Sequence, residues 1–346
     1  MTSTTYLKNN KAIPVKVEVP IGWMKSRRDG ERNRLMFESL KKGLERFNFD
    51  VSFEEIPFDI SFRSRTAPEG GFTLSYHSVG NVTHVWRIKE TPVQHYYSFE
   101  RFGFSGWSEL SMAQDYHCQY IKRVDSKLAE TFTQQLRTQL ISSNQSKYKQ
   151  KDTPFTLEEP FVFYSLQKPG DIVASLYRLN AFDVLQQAAF LAKKKRIKLV
   201  VKRHPYCLDP RVSWALFKAT FNNPYVMITS ASIHKILPLC RSVLVANSGV
   251  GFEALIHGKQ VYSFGHSEYE LVTNSLNSIS DVEQIFSTQT VISPDLINRF
   301  IYYFLRQCCF NVKDANDIDK KLQKSIDALI SGTWLEPQRA VTFPKE

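Results

Sequence analysis

No run of about 18 consecutive apolar residues occurs in these 346 residues, so a membrane-spanning helix is not expected. The first stretch, MTSTTYLKNNKAIPVKVEVP, lacks the hydrophobic segment of a secretory signal. Cysteine is scarce and odd in number (Cys118, Cys207, Cys240, Cys308, Cys309), with no CxxC spacing. That disfavours a disulfide framework or a zinc site and suits a reducing cytoplasm. No RNP, zinc-finger or helix-turn-helix signature is present, which makes nucleic acid the least favoured partner. No internal repeat or low-complexity tract stands out.

What the chain does contain is apolar and basic. Hydrophobic residues make up 42% and aromatics 13%, with 25 Phe and 15 Tyr, enough for sizeable cores and contrary to disorder. The length suits two domains better than one, at roughly 100–200 residues each. The net charge of +11 favours an anionic counterpart: nucleic acid, an anionic membrane face or an anionic substrate. Part of the excess, such as Lys193-Lys194-Lys195-Arg196, reads as a solvated face.

The chain begins as β-α-β. Residues 13–19 are a first strand, Asp29 to Phe47 has helical spacing with Asp29 as N-cap, and Phe49–Ile56 is a second strand. Gly70-Gly71 marks a turn before strand-like runs at Phe72–His77 and Thr83–Ile88. Gln94 to Leu110, QHYYSFERFGFSGWSEL, reads as a loop, either a sugar-binding or catalytic loop or a packed Ω-type loop. A polar helix from Asp125 leads through Lys-rich KYKQKDTPFTLEEP, taken as the domain boundary. Beyond it strands and helices alternate: Phe161–Leu166, Asn180–Lys193, Ile197–Lys202, Pro210–Phe221, Tyr225–Ile228 and Ile233–Cys240. Such alternation predicts a parallel sheet covered on both faces. Asp295–Phe310 and Asp317–Leu329 read as C-terminal helices packing back across the domains.

The stretch that organises this second half is Ser242 to Gly265, SVLVANSGVGFEALIHGKQVYSFG. It reads as a buried strand, a turn at Asn247-Ser248-Gly249, a helix ended by Gly258 and a second strand, that is, a βαβ unit. Ser248 and the N–H groups around Gly249 and Gly251 suit a phosphate, and Glu253 suits a ribose hydroxyl. An ordinary tight turn is the alternative. The expected class is α/β, GT-B-like, with two Rossmann-like domains facing a cleft and C-terminal helices. Residues 1–150 form an N-terminal acceptor-side domain, 151–290 a nucleotide-binding domain, and 291–346 the C-terminal helices.

Three strands of the second half end in polar residues, which the crevice rule for open parallel sheets places on one rim. They are Gln167-Lys168-Pro169-Gly170-Asp171, Lys202-Arg203-His204-Pro205 and Asn247-Ser248. Lys202, Arg203 and His204 would oppose a phosphate's charge. Asp171, held ionised beside cations, is a candidate nucleophile or else a helix N-cap; His204-Pro205 is either a ligand contact or a turn.

LQKPGDIV, KRHP and NSGVGFEALIHGKQVYSFG together resemble the bacterial capsule-polysaccharide synthesis family, whose better-understood members are retaining β-Kdo glycosyltransferases (Kdo, 3-deoxy-D-manno-oct-2-ulosonic acid). FERFGFSGWSEL is similar to that family's acidic N-terminal region. The resemblance covers roughly residues 70–270, and its His-Pro and Ser motifs are similar to those of bacterial sialyltransferases, which share the CMP leaving group. It implies CMP-Kdo as donor, with His204, Pro205 and Ser248 at the phosphate and Asp171 as the nucleophile of a covalent adduct. Glu100 matches the acid/base residue, although Glu100-Arg101-Phe102-Gly103 departs from two acids followed by glycine and leaves Glu109 as the alternative. Arg87, Lys89 or Arg101 would hold the donor's carboxylate.

With no well-placed DxD, no metal is expected. The implied partners are a nucleotide-sugar donor, a glycan or lipid-linked saccharide acceptor and an anionic inner membrane face; the implied location is cytoplasmic, at that face. The alternatives are a sialyltransferase-like or other nucleotide-sugar transferase of the same fold, and a non-catalytic polysaccharide assembly or export protein.

Overall fold

The computed structural model describes residues 12–27, 30–57, 66–287, 291–339 and 343. The expected N-cap at Asp29 lies outside them. The chain divides into two compact units, one of residues 1–117 and 304–346, the other of residues 118–303.

The first unit opens with β1 (Ile13–Val19), α1 (Gly30–Leu44), β2 (Phe49–Glu55), β3 (Phe72–Tyr76), β4 (Val85–Glu90) and β5 (Tyr96–Glu100). β1 is parallel to β2 and β3, and β3 is parallel to β4. β4 pairs with β5 antiparallel, so the aromatic segment read as a loop contains a strand. Its YYSFE pairs along VWRIKE, and this tertiary partner outweighs the local glycines in deciding its conformation. Two short helices follow, α2 (Glu109–Met112) and α3 (Gln114–Arg123), the latter crossing into the second unit after His117.

In the second unit come α4 (Ser126–Ser143), β6 (Phe161–Ser165), α5 (Ala181–Lys195), β7 (Lys198–Lys202), α6 (Pro210–Thr220), β8 (Val226–Thr229), α7 (Ile233–Ile236), β9 (Ser242–Val245), α8 (Gly249–Ile256), β10 (Gln260–Ser263), β11 (Asn274–Ser275) and α9 (Pro294–Tyr303). The caps explain the starts: Asp125, Asn180, Asp209 and Ser248 each accept a main-chain N–H from the first turn. All pairings in this sheet are parallel, in the order β11-β10-β9-β6-β7-β8. That is the Rossmann order, and the central strands FVFYS and SVLV are buried throughout.

The chain then returns to the first unit. Helix α9 ends at Tyr303 in a π-turn over Phe304–Cys308, and β12 (Cys309–Asn311) pairs antiparallel with β5. The helix expected to reach Phe310 is therefore cut short by an edge strand. Helix α10 (Ala315–Ser331) packs on α1, where Arg46 holds Asp319 at 2.6 Å. The division at 117/118 and 303/304 differs from the expected boundaries at 150 and 290. The Lys-rich segment belongs to the second unit, where Gln150 accepts from the Ile233 N–H at 3.1 Å. The last two helices are shared between the units, α9 packing on α4 in the second and α10 on α1 in the first.

Candidate functional site

In the second sheet the direction of strand succession reverses between β6 and β9, the switch point where open α/β sheets bind ligands. Gln167 leaves β6 and Asn247 leaves β9, and the two side chains join there. Gln167 Nε2 donates to Asn247 Oδ1 at 2.9 Å, and the Asn247 N–H donates to Gln167 Oε1 at 3.0 Å. Asn247 Nδ2 donates to the carbonyls of Val173 (3.0 Å) and His266 (3.2 Å). Both residues were read as ligand contacts; in the structure their amides fix three loops around the crevice.

Ser248 caps α8 through the Val250 N–H (3.3 Å), and its carbonyl accepts from the Tyr269 hydroxyl at 2.5 Å. Gly251 is required there, because a Cβ would stand 2.6 Å from that hydroxyl. With Val250 held by the cap and the Gly251 N–H bonded to the Ser248 carbonyl at 2.8 Å, Gly249 at the first helical position has its N–H beyond the helix's own ladder. Asp171 follows the left-handed turn at Gly170 and caps the one-turn helix Ile172–Leu176 through the Val173 N–H. The N-cap reading is thus observed, and the carboxylate is exposed. Burial first, then the charge of Asp171, pushes the Tyr177 phenol well above its ordinary value, so the two groups are close.

The residues after β7 are differently engaged. Lys202 turns inward, its Nζ donating to the Ala231 carbonyl (2.5 Å) and Gln150 Oε1 (3.3 Å), and burial lowers its pKa to about 8. Arg203 holds Ser213 Oγ (2.8 Å) and the Asp209 carbonyl (2.9 Å), bracing the loop that leads into α6. Both were expected to face a phosphate; in the structure their side chains brace these loops. His204 is half-buried, accepts the Tyr206 N–H at 3.2 Å and meets the rings of Tyr148 and Tyr206 edge-on; Pro205 is exposed beside it.

Glu253 does not reach the crevice. It is buried at 2% exposure beside His234, Ser146 and Lys202, and desolvation raises its pKa to about 8. His234 Nε2 donates to the Gln145 carbonyl (2.8 Å), leaving Nδ1 to accept from His257 Nε2 (3.1 Å). Burial pushes both pKa values down, that of His257 to about 3, and this favours the neutral form of both rings. The 3.8 Å approach of His234 to Glu253 is then no ion pair. The ribose role expected of Glu253 is corrected by this burial: a helix that is apolar all round turns its one acid into the protein.

Glu100 and Glu109 belong to the first unit. Glu100 accepts the Glu109 N–H at the start of α2, and Glu109 Oε1 accepts the Arg101 N–H at 2.8 Å. Both are buried, and His117 Nε2 lies 4.0 Å from Glu109. Arg87 donates to the Val85 and Arg101 carbonyls; burial first, then the like charge of Arg101, lowers its pKa to about 9 against the pull of Glu18 and Glu100. Lys89 pairs with Glu90 at 2.6 Å, and Arg101 holds the Leu335 carbonyl at 2.6 Å over the Trp334 ring.

A cavity of about 460 Å³ opens in the second unit beside Gln167. Tyr164, Tyr177, Phe182 and Phe264 wall it, and Arg178 and Arg211 stand at its polar side. Arg178 is anchored to Glu270 (2.5 Å) and to the Ser263 carbonyl (2.8 Å). Tyr177, Arg178, Tyr148, Tyr206 and Tyr269 were not singled out from the sequence, having no motif of their own. The one signal for Tyr269 was Gly251, a glycine inside a helix. Among the described residues no group of three or more His, Cys, Asp or Glu is arranged to hold a metal, and no helix is long and apolar enough to cross a membrane.

The family model described as "Capsule polysaccharide biosynthesis protein" matches residues 109–293. Protein FixF of Sinorhizobium fredii is 31% identical over 130 residues, 36% of this chain; the match spans 31% of FixF. Among solved structures, two KpsC chains of Thermosulfurimonas dismutans share the fold. The β-Kdo 2,4 transferase is 14% identical with a TM-score of 0.52, covering 93% of this chain and 99% of that one. For the β-Kdo 2,7 transferase the values are 16%, 0.50, 91% and 99%. The fold is thus of the GT-B-like class expected, two α/β units each with its own parallel-rich sheet.

Proposed function

The chain belongs to the capsule polysaccharide biosynthesis family, and from that premise we propose that it is a glycosyltransferase that uses CMP-Kdo with retention. The observation that carries this reading is the switch point of the second sheet: a crevice braced by Gln167 and Asn247, a Ser248-capped helix, and an aromatic-walled cavity alongside. The Gly249 N–H and the Ser248 hydroxyl suit the phosphate of CMP, with His204 and Pro205 beside it. The cavity has the size and apolar walls of a small-molecule site and suits the cytosine ring. No metal enters this reading.

In the first displacement an Asp171 oxygen bonds to C2 of Kdo as the C2–O bond to phosphate breaks, and CMP leaves with the electron pair. In the second, the acceptor hydroxyl bonds to C2 as the bond from C2 to the Asp171 carboxylate breaks, the hydroxyl proton passing to a general base, the role for which the resemblance names Glu100 and Glu109. Two displacements retain configuration. Asp171 is exposed and therefore reachable by a sugar. The donor's leaving charge would be met by oriented donors on a fixed loop. A lipid-linked saccharide as acceptor, at an anionic membrane face, suits the net charge of +11.

The test is intact-protein mass spectrometry after incubation with CMP-Kdo or CMP-sialic acid, without acceptor. Wild type should gain one Kdo residue and Asp171→Asn should not. Asn247→Ala, which removes the side-chain bonds that fix the loops of the crevice, should weaken CMP binding about ten-fold in calorimetry through the lost positioning of the site. CMP binding with no adduct from either donor would end the covalent mechanism; no CMP binding at all would end the donor assignment.

A further inference from the structure

Helix α6 is apolar on both sides. Val212, Ala215, Leu216 and Ala219 are buried against the second unit's core. On the opposite side Trp214, Phe217 and Phe221 are 61%, 52% and 64% exposed, and they lie ring against ring, Trp214–Phe217 at 5.4 Å and Phe217–Phe221 at 5.6 Å. Phe190 on the neighbouring α5 is 59% exposed, and Leu208 before α6 is 91% exposed. Folding gains nothing from three aromatics in water along one helix face. A contiguous exposed apolar patch of this kind marks a surface that meets something else.

The charges around the patch identify the partner. Lys218 sits in the stripe between Phe217 and Phe221 and is exposed. Lys193, Lys194 and Arg196 crowd the end of α5, where Lys193 donates to the Asn222 carbonyl at 2.9 Å and so ties that end to the turn after α6. Helix α6 carries no acid; Asp209 just before it is neutralised by Arg211 at 2.6 Å, and Asp183 lies at the far end of α5. Protein interfaces deplete lysine from their centres. Trp and Phe flanked by lysine and arginine are instead the composition of a helix lying in a bilayer interface.

We propose that the exposed face of α6, with Phe190 and the cations at the end of α5, docks on an anionic lipid bilayer. Arg211, Val212 and Ala215 of the same helix line the 460 Å³ cavity, so docking would set the second unit's cavity beside the lipid headgroups. The proposal extends the reading of a lipid-linked acceptor, yet its test needs neither donor nor acceptor, so it fails or stands apart from the transfer chemistry.

The experiment is co-sedimentation of the full chain with phosphatidylcholine vesicles, with and without phosphatidylglycerol. Phosphatidylglycerol should raise binding about ten-fold or more, and high salt should reverse the gain. The emission of Trp214, obtained by difference from Trp214→Phe, should shift to the blue on the vesicles. The triple variant Trp214→Ser, Phe217→Ser, Phe221→Ser should lose binding about ten-fold or more, and Lys218→Glu should lose the preference for anionic lipid. Since these side chains are exposed, an unchanged melting temperature and near-ultraviolet spectrum serve as the folding control. Absent binding, equal binding to both vesicles, or undiminished binding by a folded triple variant would overturn the proposal. So would a dimer in analytical ultracentrifugation that the triple variant abolishes, which would assign the face to a second copy of the chain.

Discussion

The two sheets solve the burial of charge in opposite ways. In the second unit the central strands are apolar along their length, and polar side chains gather where strands end, at Gln167, Lys202 and Asn247. In the first unit the charge lies within and between the strands: Glu18 on β1 holds Ser75 on β3, and Arg87 and Glu90 on β4 and Glu100 on β5 are all buried. One sheet keeps a dry centre and offers its chemistry at the rim. The other carries an ionic network through its middle, which costs desolvation and demands complete pairing.

The largest test of that contrast is Arg87→Ala. Its side chain, 3% exposed, donates to the Val85 and Arg101 carbonyls and feels the charges of Glu18 and Glu100, so truncation leaves buried acceptors unsatisfied and removes a favourable charge from the network. The expected loss is about 3 kcal/mol, the cost of leaving buried acceptors unsatisfied. Four of the five tryptophans, Trp23, Trp86, Trp107 and Trp334, lie in the first unit, so in a Trp214→Phe background fluorescence reports that unit alone. Urea unfolding followed this way should shift to lower denaturant. A shift no larger than that of a surface substitution would mean the network is solvated and the contrast is wrong.

The same contrast explains what could be read from the residues. FVFYS, KLVVK and SVLV announce buried parallel strands, and Asn180, Asp209 and Ser248 announce the helices that follow, because these signals are local. Strand β5 was missed because YYSFE takes its conformation from β4 and β12, the latter more than 200 residues away in sequence. For the same reason CFN, continuing a helical pattern, ends as an edge strand. The site was partly legible: the three strand ends were placed on the rim, but which side chains face outward was not. Lys202 and Glu253 differ from Ser248 only in what packs on them, and burial of that kind leaves no mark in a single sequence.

A second test targets Glu253, the one acid that the dry unit buries among the described residues. Desolvation raises the pKa of Glu253 to about 8, above its value in an unfolded chain. The folded state then holds this proton where the unfolded state does not, so its stability contribution is full at low pH and is lost as pH rises toward 8. Below about 6.5, His234 and His257 act in the opposite sense, since their depressed pKa values cost stability as pH falls. Between pH 6.5 and about 7 the Glu253 effect dominates, at no more than about 1.4 kcal/mol per pH unit, whereas nearer 8 the neighbouring Lys202, whose pKa burial lowers to about 8, acts in the opposite sense. Glu253→Gln should flatten that slope in denaturant unfolding followed at Trp214. An equally steep slope in the variant would place the titrating group elsewhere.

The smallest test compares one ion pair from each unit. Arg178 and Glu270 are 15% and 12% exposed, and the guanidinium also holds the Ser263 carbonyl at 2.8 Å and the Leu276 carbonyl at 3.3 Å. Glu270→Gln keeps the shape but leaves a cation sheltered from water, with an expected cost of about 2 kcal/mol. Arg46 and Asp319 have a better fork, with three contacts between 2.6 and 3.1 Å, yet they are 40% and 33% exposed. Water screens them, and Asp319→Asn should cost less than about 1 kcal/mol. Equal costs in urea unfolding would mean that fork geometry, rather than shelter from water, sets the worth of charge in this protein. The rim of the dry sheet would then have no electrostatic advantage over the surface of the ionic one.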